Sequence, residues 1–248
     1  MNFNDINRHE RDGLIDFEES THTYSMGGRV FDSVTTVVER CFEQFDAAYW
    51  AERKATPAKP AAALIAEWEA KGRAARDLGT LMHSRIEHFY LGQPDPDDEV
   101  ASDPTYARFL DFAAARRLYP FRTEWRIFDE DYALAGTLDF LERDPDGNFE
   151  IWDWKRSSKL IDRFTGAVVD YNRYGKTGFF PVASLPDTSY HHYALQVSIY
   201  RYILRHKYGI DVRAGHLGVF HPDYSTYYII DLPYLEDEVK ALLDSRIR

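Results

Sequence analysis

Between positions 121 and 155 the sequence adopts two-residue alternation three times in succession, and this restricts the fold more than any other feature. Segments 121–128, 133–142 and 148–155 are joined by turns at Asp129-Glu130-Asp131 and Asp144-Pro145-Asp146-Gly147. They read as three antiparallel strands. With Pro145-Asp146-Gly147 as a three-residue loop and Gly147 left-handed, Asp144 faces Asn148. Counting outward then sets Asp139 opposite Asp153, with both side chains on one face. Opposed residues have Cβ atoms about 4.5–5.5 Å apart. Two carboxylates at that spacing repel unless a proton or cation lies between them. Lys155, two residues beyond Asp153, projects from the same face.

The flanking sequence frames this hairpin. Residues 14–38 read as extended chain, with a two-residue turn at Gly27-Gly28 and a β-branched run Val34-Thr35-Thr36-Val37-Val38. Helical spacing covers 39–54 and 60–91, the second with an expected bend near Gly72 or Gly79, and again 106–118. A polar loop is expected at 92–103. Residues 157–189 are irregular and rich in Gly, Ser, Pro and aromatics, too long for a silent connection. A helix at 190–208, strands at 214–220 and 226–231, and a final helix from Glu236 complete the chain.

With 248 residues, 44% of them hydrophobic, the chain can bury one sizeable core. The expectation is a single α/β domain over 1–248, with an N-terminal hairpin and helical region to about 78 and an insertion at 157–189. No apolar run reaches the roughly 20 residues of a membrane span, and no signal-peptide core opens the chain, so a soluble intracellular protein is expected. Cys41 is the only cysteine, which rules out an intrachain disulfide or a multi-cysteine metal site. The net charge of −11 argues against a protein that coats nucleic acid through a broad basic face. Local basic stretches remain, chiefly from Lys155 to Lys176.

The hairpin chemistry suits phosphodiester hydrolysis. Magnesium prefers oxygen ligands and is commonly held by one or two carboxylates plus a substrate phosphate. Asp139 and Asp153 would supply the carboxylates, and Lys155 would orient water or neutralise developing charge. Two other arrangements carry no such chemistry. Asp144, Asp146, Asn148 and Glu150 alternate like a calcium loop but lack its glycine spacing and distal glutamate, so they form a turn. His191-His192 diverge as adjacent helical residues and are read as structural or substrate-facing.

Four motifs in order resemble the PD-(D/E)xK nuclease superfamily, specifically its RecB-like exonuclease branch. They are His83 in Gly79-Thr80-Leu81-Met82-His83, Gly136-Thr137-Leu138-Asp139, Asp153-Trp154-Lys155-Arg156-Ser157, and Gln196-Val197-Ser198-Ile199-Tyr200. The resemblance implies a restriction-endonuclease-like core, a central mixed β-sheet flanked by helices. It implies metal ligation by His83, Asp139, Asp153 and the Trp154 backbone carbonyl, with Lys155 as the catalytic lysine. Arg156, Ser157, Gln196 and Tyr200 would support the site or contact substrate. Glu124, on the preceding strand, ranks below these as a further candidate. No cysteine set exists for the iron-sulfur members and no phosphate-binding loop for a motor.

The expected activity is therefore a stand-alone Mg2+-dependent deoxyribonuclease, with Mn2+ able to substitute. Aromatics interleaved with cations favour exonucleolytic action on single strands or DNA ends, in recombination, repair or replication and alongside proteins of those processes. A viral or phage origin suits a nuclease of this size. A structure-specific endonuclease on the same fold, or a non-catalytic recombination accessory that binds nucleic acid, are the alternatives.

Overall fold

The computed structural model describes residues 2–96 and 103–246. A short helix α1 (Phe3–Ile6) precedes a meander of β1 (Asp16–Glu18), β2 (Thr23–Met26) and β3 (Arg29–Ser33). Helices α2 (Val34–Arg40), α3 (Ala47–Lys54), α4 (Ala61–Leu91) and α5 (Pro104–Ala115) follow. Next come β4 (Pro120–Asp129), β5 (Leu134–Arg143), β6 (Phe149–Lys155), α6 (Ser189–Lys207), β7 (Val212–Val219), β8 (Tyr228–Leu232) and α7 (Glu236–Asp244). The result is an α/β fold with a mixed central sheet flanked by helices. No helix among the described residues is long and apolar enough to cross a membrane. Of the loop expected at 92–103, positions 97–102 lie outside the described residues.

The sheet is organised around β5. Along one edge β5 pairs with β4 over its whole length, from Asp129↔Leu134 to Pro120↔Glu142. The other edge is shared. β3 runs parallel to it at Leu134 and Ala135, and β6 runs antiparallel to it from Phe140 onward. Among the described residues, positions 136–139 therefore have no strand on that side. Meanwhile β6 stays paired with β7 as far as Lys155↔Val219, so β5 and β6 part like the arms of a fork.

The core divides over the two faces of the sheet, by alternation along β6 and with Leu138 and Phe140 of β5 on opposite sides. Trp152, Trp154, Phe140 and Phe220 pack against Met82 and Ile86 of α4 and Phe109 and Phe112 of α5. Ile151, Leu138, Leu217 and Val219 pack against α2, α6 and α7 through Val37, Leu195, Ile199 and Val239. Burying such side chains stabilises by roughly 1.5–3 kcal/mol each before entropy is counted. Asp153 and Lys155 fall in phase with Ile151, on the α6 side.

Two expectations are corrected. The run Val34-Thr35-Thr36-Val37-Val38 is helical rather than extended. Ser33 caps it by accepting the Thr36 N–H at 3.0 Å, and Val34, Val37 and Val38 fall at i, i+3 and i+4, so one helical face enters the core. Burial of that face outweighs the β-preference of branched residues. The helix expected at 39–54 is instead the end of α2 and all of α3. Asp46 starts α3 by accepting the Tyr49 N–H at 2.9 Å, while Cys41 and Phe42 turn inward. α4 runs as one unbroken helix past Gly72 and Gly79 and ends at Gly92, whose φ of +64° suits a left-handed cap.

Residues 157–189 form no long strand or helix yet are packed. Leu160, Ile161, Val182 and Leu185 enter the α6-side core. Backbone bonds Val169 N–H to Leu160 O, Gly178 N–H to Leu185 O and Phe179 N–H to Cys41 O, at 2.7–2.9 Å, hold the segment in place.

Candidate active site at the fork of the sheet

The hairpin forms in the expected register. Asp144 N–H bonds to Asn148 O at 2.9 Å, Gly147 has φ +90°, and Glu142↔Glu150 through Phe140↔Trp152 pair in step. The ladder ends there, one pair short of Asp139 and Asp153. Where a backbone partner would have stood, Asp139 Oδ2 accepts the Trp154 N–H at 2.8 Å. The Asp139 carboxylate thus closes the root of the fork, which corrects the picture of two aspartates simply facing each other from paired strands.

Three side chains from three elements meet at this root. His83 from α4, Glu124 from β4 and Asp139 from β5 each offer a ligand atom, all within 4.8 Å of one another. His83 Nδ1 lies 3.5 Å from Asp139 Oδ1 and 3.8 Å from Glu124 Oε1. The other ring nitrogen, Nε2, is 2.9 Å from the Trp154 carbonyl oxygen, so with Nε2 protonated Nδ1 presents its lone pair to the carboxylates. The Trp154 carbonyl, expected as a metal ligand, here orients the histidine.

Glu124 reaches the cluster through an unusual backbone. Its φ is +45°, and the β4–β5 ladder skips it between Thr123↔Phe140 and Trp125↔Leu138. A non-glycine residue in the left-handed region costs free energy, and such strain clusters at functional sites. Regular alternation along the sequence gives no sign of this kink. Asp153 takes no part in the three-residue cluster.

Asp153 belongs to a second group on the α6 side. Its carboxylate is in ion-pair contact with Lys155 Nζ at 2.6 Å, and the Gln196 amide donates to its Oδ1 at 3.3 Å. The same amide donates to the Tyr200 hydroxyl at 3.3 Å. Gln196 and Tyr200 share a face of α6, one turn apart. The Tyr200 ring comes so close to β5 that a Cβ on Gly136 would sit 2.7 Å from Cε1, so glycine at 136 is what admits it. Tyr193, one turn before Gln196, lays its ring 4.6 Å from the Lys155 ammonium. It went unnoticed in the sequence, although positions 193, 196 and 200 form a stripe at helical spacing.

Burial and charge act against each other throughout the site. Burial opposes protonation of His83, but the Asp139 and Glu124 carboxylates outweigh it and raise its pKa to about 9. Burial likewise disfavours a charged Lys155, yet Asp153 and Asp139 push its pKa upward, so it remains an ammonium. The Asp153 carboxyl is pushed up to about 6 by burial, against the pull of Lys155. Burial also raises Asp139, opposed by His83 and Lys155.

A cavity of about 670 Å³ opens over both groups, lined among others by His83, Glu124, Asp139, Lys155, Gln196 and Tyr200. Other expected residues fall elsewhere. Arg156 turns to α5, where its Nε donates to Thr105 Oγ1 at 3.3 Å, and Ser157 Oγ accepts the Lys159 N–H at 3.2 Å. His191 bonds to Thr188 at the start of α6, and His192 pairs with Asp187 and lies against Phe42. The acidic turn has no ligand geometry, since Asp144 is occupied by Asn148.

No protein-family model and no curated protein matches the chain. A solved structure described as the crystal structure of SSO0001 aligns with 87% of this chain and 74% of its own, at 17% identity and a TM-score of 0.35. A superposition that loose assigns neither fold family nor function.

Proposed function

We propose that the chain is a metal-dependent DNA nuclease with a restriction-endonuclease-like core, akin to the RecB-like exonucleases of the PD-(D/E)xK superfamily. One observation carries this reading: a nitrogen-and-carboxylate cluster and a buried aspartate–lysine pair lie side by side under one cavity at the fork of the sheet.

The donor set fits a divalent cation. His83 Nδ1, Glu124 Oε1 and Asp139 Oδ1 are close enough to share one ion, and two carboxylates with an imidazole suit Mg2+ or Mn2+. Such an ion supplies Lewis acidity toward a phosphate oxygen and lowers the pKa of a bound water. The chain's own groups do the rest. Lys155, kept protonated by its acidic neighbours, acts as a fixed positive charge beside the phosphate and offsets charge that develops on it. Asp153 holds that ammonium in place, and Gln196 with Tyr200 fixes the other oxygen of Asp153. With its pKa raised, Lys155 is poorly suited to act as a base.

The substrate in this reading is DNA with a free end or single-stranded segment. Cleavage of matched linear and circular, single- and double-stranded DNA in Mg2+ tests it. Degradation confined to linear or single-stranded DNA is expected, whereas rapid cutting of closed circular duplex would make the protein an endonuclease. No cleavage of any of these substrates in either Mg2+ or Mn2+ would defeat the reading.

A further inference from the structure

We propose that the insertion at 157–189 builds a second binding site, a chamber for unpaired nucleotides of the strand that leads to the fork. This rests on the nuclease reading above and adds to it a place and a substrate form. A cavity of about 860 Å³ lies between the insertion and the α2–α3 connection, bordered by Phe45, Tyr171 and Tyr174 with the cations Lys159 and Arg173. The three rings are largely exposed, at 64%, 66% and 73%. Arg173 lies over the Tyr174 ring at 4.7 Å and Phe45 packs edge-on against Trp68, so Tyr171 offers the open face and Tyr174 already shows the ring-and-cation pairing that suits base stacking combined with phosphate attraction.

The rings stand on an ordered frame. Asn172 Oδ1 accepts the Tyr174 N–H at 2.9 Å, and Asn172 Nδ2 donates to Asp187 O at 2.7 Å. Asp187 N–H bonds to Lys176 O at 2.9 Å, while Lys176 forms an ion pair with Glu43 beyond the end of α2. A backbone fixed this firmly under exposed side chains is preorganised, which lowers the ordering cost of binding. The acidic group in the chamber wall, Asp187, is already hydrogen-bonded to His192.

The chamber leads toward the fork. Ser189 and His192 also line a cavity of about 170 Å³, whose wall includes Thr35 and Gln196, and those two residues in turn line the cavity over the active site. α6 thus carries one wall of the whole path, from its N-terminal turn at the chamber to Tyr200 at the fork. Duplex nucleic acid hides its base faces within the stack, so rings of this kind select a strand that is already unpaired.

The test uses the full-length chain carrying Lys155→Ala, in magnesium, with fluorescent oligothymidylate, its ribo-counterpart and a blunt duplex as probes. Adding Tyr171→Ala and Tyr174→Ala together is expected to weaken single-strand binding about 10- to 100-fold and leave duplex binding unchanged. Tyr→Phe at both positions should retain it. The deoxy and ribo probes tell which sugar the chamber accepts, and tyrosine dependence with either supports it. Independently of whether the alanine variant folds, 5-iododeoxyuridine oligomers should photo-cross-link the unaltered chain at Tyr171 or Tyr174. Single-strand binding indifferent to the tyrosines, as for a protein-docking surface, or cross-links only elsewhere, overturns the chamber. If the wild-type chain cuts no DNA while tyrosine-dependent binding persists, the nuclease reading fails and the chamber stands; cleavage with tyrosine-independent binding gives the reverse.

Discussion

The two halves of the fork site handle charge in opposite ways. Asp153 and Lys155 form a closed pair, with side chains 1% and 15% exposed and the cation supplied by the chain itself. His83 and Glu124, at 27% and 31%, are more open, and with Asp139 they bring two carboxylates to a histidine that can be displaced of its proton. The first half is neutralised on folding, while the second is left to be neutralised by a proton or by a cation from solution. The difference assigns separate tasks to neighbouring groups, and substitutions can take the two tasks apart.

The largest expected effect is on turnover. In the nuclease reading, Lys155→Ala should reduce DNA cleavage about 100- to 1000-fold, because that reading sets its charge beside the phosphate. Calorimetric titration of the same variant with Mn2+ should still show binding, since His83, Glu124 and Asp139 are untouched. Loss of both together would mean the halves do not act separately. Asp153→Asn should also abolish cleavage, and it should cost about 3–5 kcal/mol of stability by leaving a buried ammonium without its main partner, read from urea unfolding.

On the open half the order is reversed. Asp139→Asn or Glu124→Gln is expected to weaken Mn2+ binding at least about 10- to 100-fold, with the Asp153 and Lys155 pair intact. An unchanged affinity for Glu124→Gln would remove Glu124 from the ligand set.

The pH response sharpens the contrast. Without metal, His83 titrates at about 9 rather than 6.5, and a bound ion must displace its proton. Metal affinity should therefore climb close to tenfold per pH unit below about 9, then level off. For the metal-free protein the sign is opposite. A folded pKa raised above the unfolded one gives stability that is complete below 6.5 and disappears as pH rises through 9. Urea midpoints at pH 6 and pH 9.5 should show this decline, and His83→Gln should flatten it.

The smallest effect lies in the scaffold behind the closed half. Tyr200→Phe removes the hydroxyl that takes the Gln196 N–H and should cost about 1 kcal/mol. Gly136→Ala, which drives a methyl into the Tyr200 ring, should cost about 1–3 kcal/mol and is measured the same way.

Much of this was legible in the residue order because its causes are local. Gly27-Gly28 and Pro145-Asp146-Gly147 dictate their turns through backbone conformations that glycine adopts cheaply, and the second turn sets the β5–β6 register. The spacing of Gln196 and Tyr200 likewise fixes a shared helical face, and Lys155 beside Asp153 follows from strand alternation. The helix at Val34–Arg40 was hidden because its stability comes from the core it enters rather than from its β-branched residues.

By itself, then, the sequence determined the hairpin and its register, and a family resemblance singled out His83, Asp139, Asp153, Lys155, Gln196 and Tyr200, which the fold brings together at the fork. Only the tertiary structure decided that β3 and β6 divide one edge of β5, that Asp139 takes the Trp154 N–H in the gap, and that Glu124 joins His83 in place of Asp153. Strand alternation and turn geometry act over a few residues and can be counted along the chain. The opening of a sheet depends on which distant segments compete for the same edge, and no local pattern records that competition.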